Sequence, residues 1–319
     1  MADVVAFGEL LIDFVPTQTG QDLAAAEMFK KAAGGAPANV AVGLARLGVS
    51  SAFMGMVGND GFGRFLADTL REAGVDVSPL RATDRARTAL AFVSLRPDGE
   101  REFLFYRSPS ADMLMEPGDV DEAAIASARA FHFGSISLIS EPARSATLHA
   151  VALARRRGKL VTYDPNLRLA LWPDAAAARA GMRLGLAEAE VVKIGAEELA
   201  FLTGIENTLE AARALWHPRL RLMAVTCGAE GSHWLTPDAE GAVPGFSIEA
   251  VDTTGAGDGF MAGFLAGLLA ERDLPGDPAR LQAICRLGNA VGALTATGRG
   301  AIPSLPTLEA VERLTGRPS

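Results

Sequence analysis

Cysteine is scarce: Cys227 and Cys285 stand far apart and form no Cys-x-x-Cys pair. A disulfide framework is therefore not expected, and a reducing compartment fits. The four histidines make no His-Glu-x-x-His and no ligand-spaced cluster, so no zinc site is expected. Positive charge is also short. Lys and Arg number 30 against 38 Asp and Glu, a formal net charge of −8, with no basic face of the kind nucleic acid needs. The densest basic run, Arg155 to Arg157 with Lys159, reads as the cationic end of a helix. The apolar run from Phe260 to Ala270 is too short to span a bilayer. The opening MADVVAFGELLIDFVP lacks a basic leader and is interrupted by Glu9 and Asp13, so a cytoplasmic location is expected.

Hydrophobic residues make up 49% of the 319, enough for a large core. Short β-rich runs alternate with helical patterns. DVVAFGELLIDFV reads as a strand, PANVAVGLARLG as a helix stopped by Gly48, and SSAFMGMVG as another strand. The alternation resumes at AFHFGS, KLVTYD, EVVKIG and RLMAVTC, with helical patterns near residues 142–157, 175–188 and 196–203. This predicts an α/β fold: a doubly wound, mainly parallel sheet with helices on both faces, in a single domain over residues 1–319. A TIM barrel fits less well, because GSHWLTPDAEGAVPGF looks like an antiparallel hairpin and the C-terminal helices run back to back. RTALAFVSLRPDGEREFLFYR also breaks the rhythm, as two β-type runs around a turn. With residues of the segment 14–32, the segment 86–110 is expected to form a small β lid outside the main sheet.

The most informative stretch is VDTTGAGDGFMAGFLAGLLA. It follows the strand-like FSIEAV and continues as a helix, so Gly255, Ala256 and Gly257 lie at a helix N-terminus. Open N–H groups and the dipole make that an anion site, and small side chains let a phosphate reach the backbone. Asp258 sits in the first helical turn. A carboxylate beside a phosphate is costly unless it works as a base toward an attacking hydroxyl, and phosphoryl transfer through a loose transition state needs only a weak base. The plainer alternative makes Asp258 a helix cap and the glycines packing residues. The rival phosphate loops are missing: there is no Gly-x4-Gly-Lys-Ser/Thr, and no Gly-x-Gly-x-x-Gly follows the first strand, which argues against a dehydrogenase.

DTTGAGD and GGAPANVAVGLARLG resemble the two signatures of the ribokinase-like (PfkB) carbohydrate kinases, and the resemblance covers essentially the whole chain. EFLFYRSPSADMLM, YDPNLRLALWP and GALTATGRGAIPSLPT are similar to fructokinases within that family. The resemblance implies an ATP-dependent, Mg²⁺-requiring transfer to a ketose hydroxymethyl group, with Asp258 as base and Gly255 to Gly257 as anion hole. 2-Keto-3-deoxygluconate kinase is the alternative within the family. A sugar- or ATP-sensing protein without turnover is the alternative outside it.

The resemblance also assigns roles to other residues. Asp13, Gly34, Gly35 and Asn39 would meet the sugar, although Asp13 could instead face water and Asn39 could cap the following helix. Phe103, Phe105 and Arg107 would lie on the lid, where the phenylalanines could equally be sheet packing. Asn166 and Arg168 would contact sugar and phosphate, or Arg168 could be a surface ion pair. Lys193 would reach ATP phosphates or merely snorkel. Thr226, Gly228, Gly231 and Asn289 would hold the nucleotide. Glu198 would organise waters around Mg²⁺, though Gly195 replaces the family's usual asparagine three residues earlier. Asp252, Thr254 and residues 297–303 would form a K⁺ site. Pairing of lids would make a homodimer.

Overall fold

The computed structural model describes residues 1–18, 23–95, 101–271 and 273–316; the side chains of residues 94, 95 and 101–103 are not among the described ones. The described strands are β1 (Val4–Phe7), β2 (Leu11–Pro16), β3 (Phe29–Gly34), β4 (Ser51–Gly58), β5 (Leu80–Thr83), β6 (Ala89–Leu95), β7 (Arg101–Tyr106), β8 (Ala130–Gly134), β9 (Leu160–Asp164), β10 (Val191–Gly195), β11 (Leu222–Thr226), β12 (Gly231–Leu235) and β13 (Glu240–Pro244). They form two sheets. The larger has the order β13-β12-β11-β10-β9-β8-β1-β4-β5. Every pairing in it is parallel except those of the edge hairpin, β11–β12 and β12–β13.

Why this sheet is covered twice follows from the strand sequences. Alternate residues point to opposite faces, yet VVAF of β1 and SAFMGMVG of β4 are buried throughout. Val5 and Phe7 join one apolar cluster with Phe131, Phe133 and Tyr163. Val4 joins a second cluster across the sheet, with residues of the helices Ala36–Arg46, Ala256–Ala270 and Pro278–Ala296. Ala6 belongs to a third on that same side, with Leu66 and Leu70 of the helix Gly61–Glu72. Helices on both faces are thus required by the strand pattern, and among the described residues none is long and apolar enough to cross a membrane.

The smaller sheet has the order β3-β2-β6-β7. It corrects the expectation of one continuous first strand. Gly8 to Leu10 break DVVAFGELLIDFV into β1, in the main sheet, and β2, in the small one. Asp13 therefore sits on the small sheet, opposite Ala32 of β3 and Ala91 of β6. β6 and β7 form the expected antiparallel pair; the turn residues 96–100 lie outside the described ones. The two faces of this sheet differ. Asp13, Ala91 and Phe105 align across it on one face, while Phe14, Phe92 and Leu104 align on the other. FSIEAV is a second correction: residues 245–250 are irregular and the strand before them ends at Pro244.

Candidate active site

Parallel strands bring their C-terminal ends to one edge, the usual ligand edge of an open α/β sheet. Here Gly134 pairs with Asp164, and Gly195 with Thr226. The helix Ala256–Ala270 begins above this edge. Its N-cap, Gly255, has φ 79°, a left-handed conformation that glycine adopts without strain. Asp258, in the first turn, is 6% exposed. The open N–H groups of this helix start are fewer than the sequence implies. Ala256 N–H donates to Thr253 O at 3.1 Å, so Ala256 is spent on the turn, and Gly257 is left as the interior donor of the glycine run.

Asn39 donates its side-chain amide to Asp258 Oδ2 at 2.7 Å. It does not cap its helix; Gly35 holds that position without any side-chain bond. Burial pushes the Asp258 carboxyl up, the Asn39 bond pulls it down, and Lys193 and Arg168 pull in the same direction, while Glu198 opposes them. Lys193 is neither at a strand end nor snorkelling. It lies within β10, 5% exposed, with Nζ 3.0 Å from Asp164 Oδ2. A Cβ placed on Gly257 would fall 2.9 Å from that Nζ, so the ammonium stands beside the helix start.

Asp164 is the functional candidate that sequence reasoning misses, although it opens DPNLR. An acid closing a buried strand, one residue before a proline, is the available signal. It is 2% exposed, and its Oδ1 has no hydrogen-bond partner. Burial pushes its carboxyl up to about 7, Lys193 pulls it down, and Glu198 and Asp258 push it up. Asn166 follows with φ 45°, and Arg168 Nη1 donates to its neighbour Leu167 O at 3.0 Å rather than to a surface acid. Glu198 accepts from Leu167 N at 2.6 Å and from Gly195 N at 2.8 Å. It thus ties the DPNLR loop to the end of β10, and the backbone of Gly195 supplies a contact.

On the other side, a Cβ on Gly34 would lie 2.2 Å from Asp13 Oδ2, and one on Gly35 (φ 118°) 2.3 Å from Glu9 O. Only glycine admits this approach, and it sets Asp13 against the start of the helix that carries Asn39. Phe105 packs partly buried against Leu11, Ala89 and Ala91. The Phe103 side chain lies outside the described residues. Arg107, directly after β7, engages Asp112 Oδ2 through both Nε and Nη2, at 2.8 and 2.5 Å, in a buried pair.

A cavity of about 660 Å³ opens beside Gly257 and Phe260, lined also by Thr226, Gly228, Gly231 and Asn289. Asn289 spends its amide nitrogen on Val243 O and Pro244 O. At the end of the glycine run, Asp252 Oδ1 accepts from Thr254 N and Oγ1, and its Oδ2 from Gly300 N. This brings the two segments assigned to K⁺ together. Among the described residues no group of three or more His, Cys, Asp or Glu could by itself hold a metal.

A buried acid bonded to an amide, an ammonium at a glycine-started helix, and an open cavity thus lie side by side. The sequence pattern of the pfkB family carbohydrate kinases matches residues 1–308. The chain belongs to this family. It is a carbohydrate kinase by that membership, a phosphotransferase acting on a sugar hydroxyl. It is 52% identical over 314 residues to probable fructokinase-7 of Arabidopsis thaliana, covering 98% of this chain and 92% of the relative. A fructokinase of Xylella fastidiosa, solved with bound ATP, superposes with a TM-score of 0.90 at 38% identity over 99% of each chain. A fructokinase double mutant of Vibrio cholerae, solved with fructose, ADP and potassium ion, gives 0.86 at 36% identity over 98% of each chain. In this kinase fold Asp13, Gly34, Gly35 and Asn39 come from the first 46 residues, whereas Asp164, Lys193, the cavity and Asp258 come from residue 164 onward.

Proposed function

We propose that this kinase transfers the γ-phosphate of ATP to the hydroxymethyl group of fructose. The observation that carries the reading is Asp258: buried, bonded to Asn39, at the start of a helix flanked by Lys193. Asp258 takes the proton as the hydroxyl oxygen attacks phosphorus. Asn39 orients the carboxylate and favours its ionised form. Gly257 N–H and the Lys193 ammonium offset charge on the transferring group. Asp13 and the Gly34–Gly35 backbone hold the sugar, with Asn166 and Arg168 closing it from the DPNLR loop. The 660 Å³ cavity takes the adenosine part of ATP.

Mg²⁺ fits this site. Glu198 acts as a like charge on Asp164 and Asp258, and Asp258 on Asp164, while Lys193 opposes them on both and Arg168 on Asp258, so the site gathers carboxylates where triphosphate would add more negative charge. The unpartnered Asp164 Oδ1 and Glu198 would hold the ion, through water, and it would neutralise phosphate charge. K⁺ would sit against the Asp252–Thr254 and 297–303 segments.

The small sheet acts as a lid. Its Asp13 face covers the sugar. Its other face stacks Phe14 on Phe92 at 5.0 Å and exposes Leu104 and Tyr106 by 47% and 59%, which suits pairing with a second copy. The compartment is read as cytoplasmic. Because Arg107, one of the two arginines that could grip a carboxylate, is already paired with Asp112, a bidentate grip by both is lost and a neutral ketose is favoured over 2-keto-3-deoxygluconate. The test is ADP release with ATP and fructose, 2-keto-3-deoxygluconate, ribose, glucose or adenosine. The highest kcat/KM on fructose is expected, and a higher value on the keto-acid would overturn the assignment.

A further inference from the structure

Glu9 has no part in the transfer just described, yet it is 3% exposed in the link between β1 and β2. A buried carboxylate without a partner is expensive. Its Oε1 accepts from Ala36 N at 2.9 Å, the first residue after the Gly34–Gly35 turn. Its backbone O presses on Gly35. The charges that act on it are Arg107, which favours its ionised form, and Asp112, which opposes it. Arg107 follows β7 directly, and Asp112 lies where the chain returns to the main body. The same junction is held elsewhere by Ala111 N donating to Arg87 O at 2.8 Å and by Asp60 accepting from Thr88 N at 2.9 Å. Chain enters and leaves the small sheet at four places. Glu9 is itself one, bonds the second, and acts electrostatically on a third.

We propose that Glu9 is a positioning residue for the sugar: through Ala36 N its buried carboxylate ties the glycine turn to the link between β1 and β2, beside the charged exit of the small sheet at Arg107 and Asp112, and so fixes the Asp13 side of the sugar pocket against the Asn39 side. The carboxylate touches no reacting atom. The helix Ala36–Arg46 is anchored to the reaction centre separately, through Asn39 and Asp258. Loosening the clasp therefore displaces the lid side of the pocket and leaves the base in place, and the loss falls on sugar binding rather than on transfer. Burial pushes Glu9 up to about 7, against the pull of Arg107, so the clasp is charged only part of the time near neutral pH. The role of Glu9 rests on the sugar-kinase reading of the same site.

Glu9→Gln separates the charge from the hydrogen bond, because the amide oxygen still accepts from Ala36 N while the attraction to Arg107 is gone. The expected result is a sugar KM raised by about 5- to 20-fold, with the ATP KM and kcat within about twofold of wild type, as for loss of binding made equally in ground and transition states. A sugar KM raised less than about threefold, or a kcat lowered or an ATP KM raised by more than about twofold, overturns the proposal. The variant is assayed on whichever sugar the wild type phosphorylates best, so a wrong sugar and a wrong role for Glu9 give different failures. A second measurement needs no variant. Amide exchange in wild-type protein should slow together at residues 34–36 and 107–112 on adding that sugar, and not on adding ATP alone. Slowing of one segment without the other overturns the clasp.

Discussion

Asn39 and Asp258, 219 positions apart in the chain, meet at 2.7 Å with both side chains buried. The contact joins the glycine-turn helix to the helix that starts at Gly255, and it links the residues assigned to the sugar directly to the residue assigned to the proton.

Asp258→Asn keeps the size and a hydrogen-bonding side chain but removes the base. Turnover should fall by about 10²- to 10⁴-fold, the usual range for a lost general base. ATP affinity by titration calorimetry should stay within a few-fold of wild type. Turnover near the wild-type rate would refute the role.

Asn39→Ala removes the bond that favours ionised Asp258 and leaves burial, which raises its pKa, unopposed by that amide. The base then needs a higher pH to ionise. The acid limb of the kcat/KM–pH profile should move to higher pH, with the largest loss of rate on the acid side. An unmoved acid limb would separate Asn39 from the base.

Lys193→Met leaves Asp164 buried without its ammonium. With its counter-charge lost, the folded-state pKa of Asp164 rises further above that of the unfolded chain. An acid whose folded pKa is raised destabilises the fold as pH climbs above the unfolded value, until the folded pKa is reached. The variant's Tm should therefore keep falling with pH above about pH 7, where the Asp164 contribution in wild type levels off, and its ATP KM should rise. Parallel Tm–pH curves would contradict the pairing.

Metal removal is the fourth case. Asp164, Asp258 and Glu198 already repel one another, and triphosphate adds further negative charge. EDTA should abolish ADP release and added Mg²⁺ should restore it. Full activity in chelated buffer would show that Lys193 and Arg168 suffice.

Much of the fold is legible in the order of residues alone. Alternating β and helical runs indicate the parallel sheet, because a strand buried on both faces is apolar throughout, as β4 is. Gly255 and Asp258 are legible because a glycine-rich helix start followed by an acid has few other uses. The break at Gly8 to Leu10 is not legible. The residues on either side are equally apolar, and only the pairing of β2 with β6 shows that they serve different sheets. Arg107 escapes for a related reason. Its partner Asp112 is only five residues away, but nothing in SPSAD indicates that the chain turns back to bury the pair. Asp164 is hidden by its motif, since its significance lies in Lys193, 29 positions on and just past the residues where β10 pairs with β9.

The order of these contributions along the chain has an evolutionary corollary. In the proposed reading the acceptor is gripped mainly by the opening segment of the polypeptide and the donor by the closing one, which assigns the two substrates largely to different stretches of coding sequence. On that reading, recombination between related kinases within the segment that follows Asp112 would join one parent's Asp13, Gly34, Gly35 and Asn39 to the other parent's nucleotide apparatus, with Asn166 and Arg168 travelling with the latter. The seam such a hybrid must preserve reaches beyond the amide at position 39 and the carboxylate at 258: it includes the pairing of β1 with β8 and the packing of the helices Ala36–Arg46 and Ala256–Ala270.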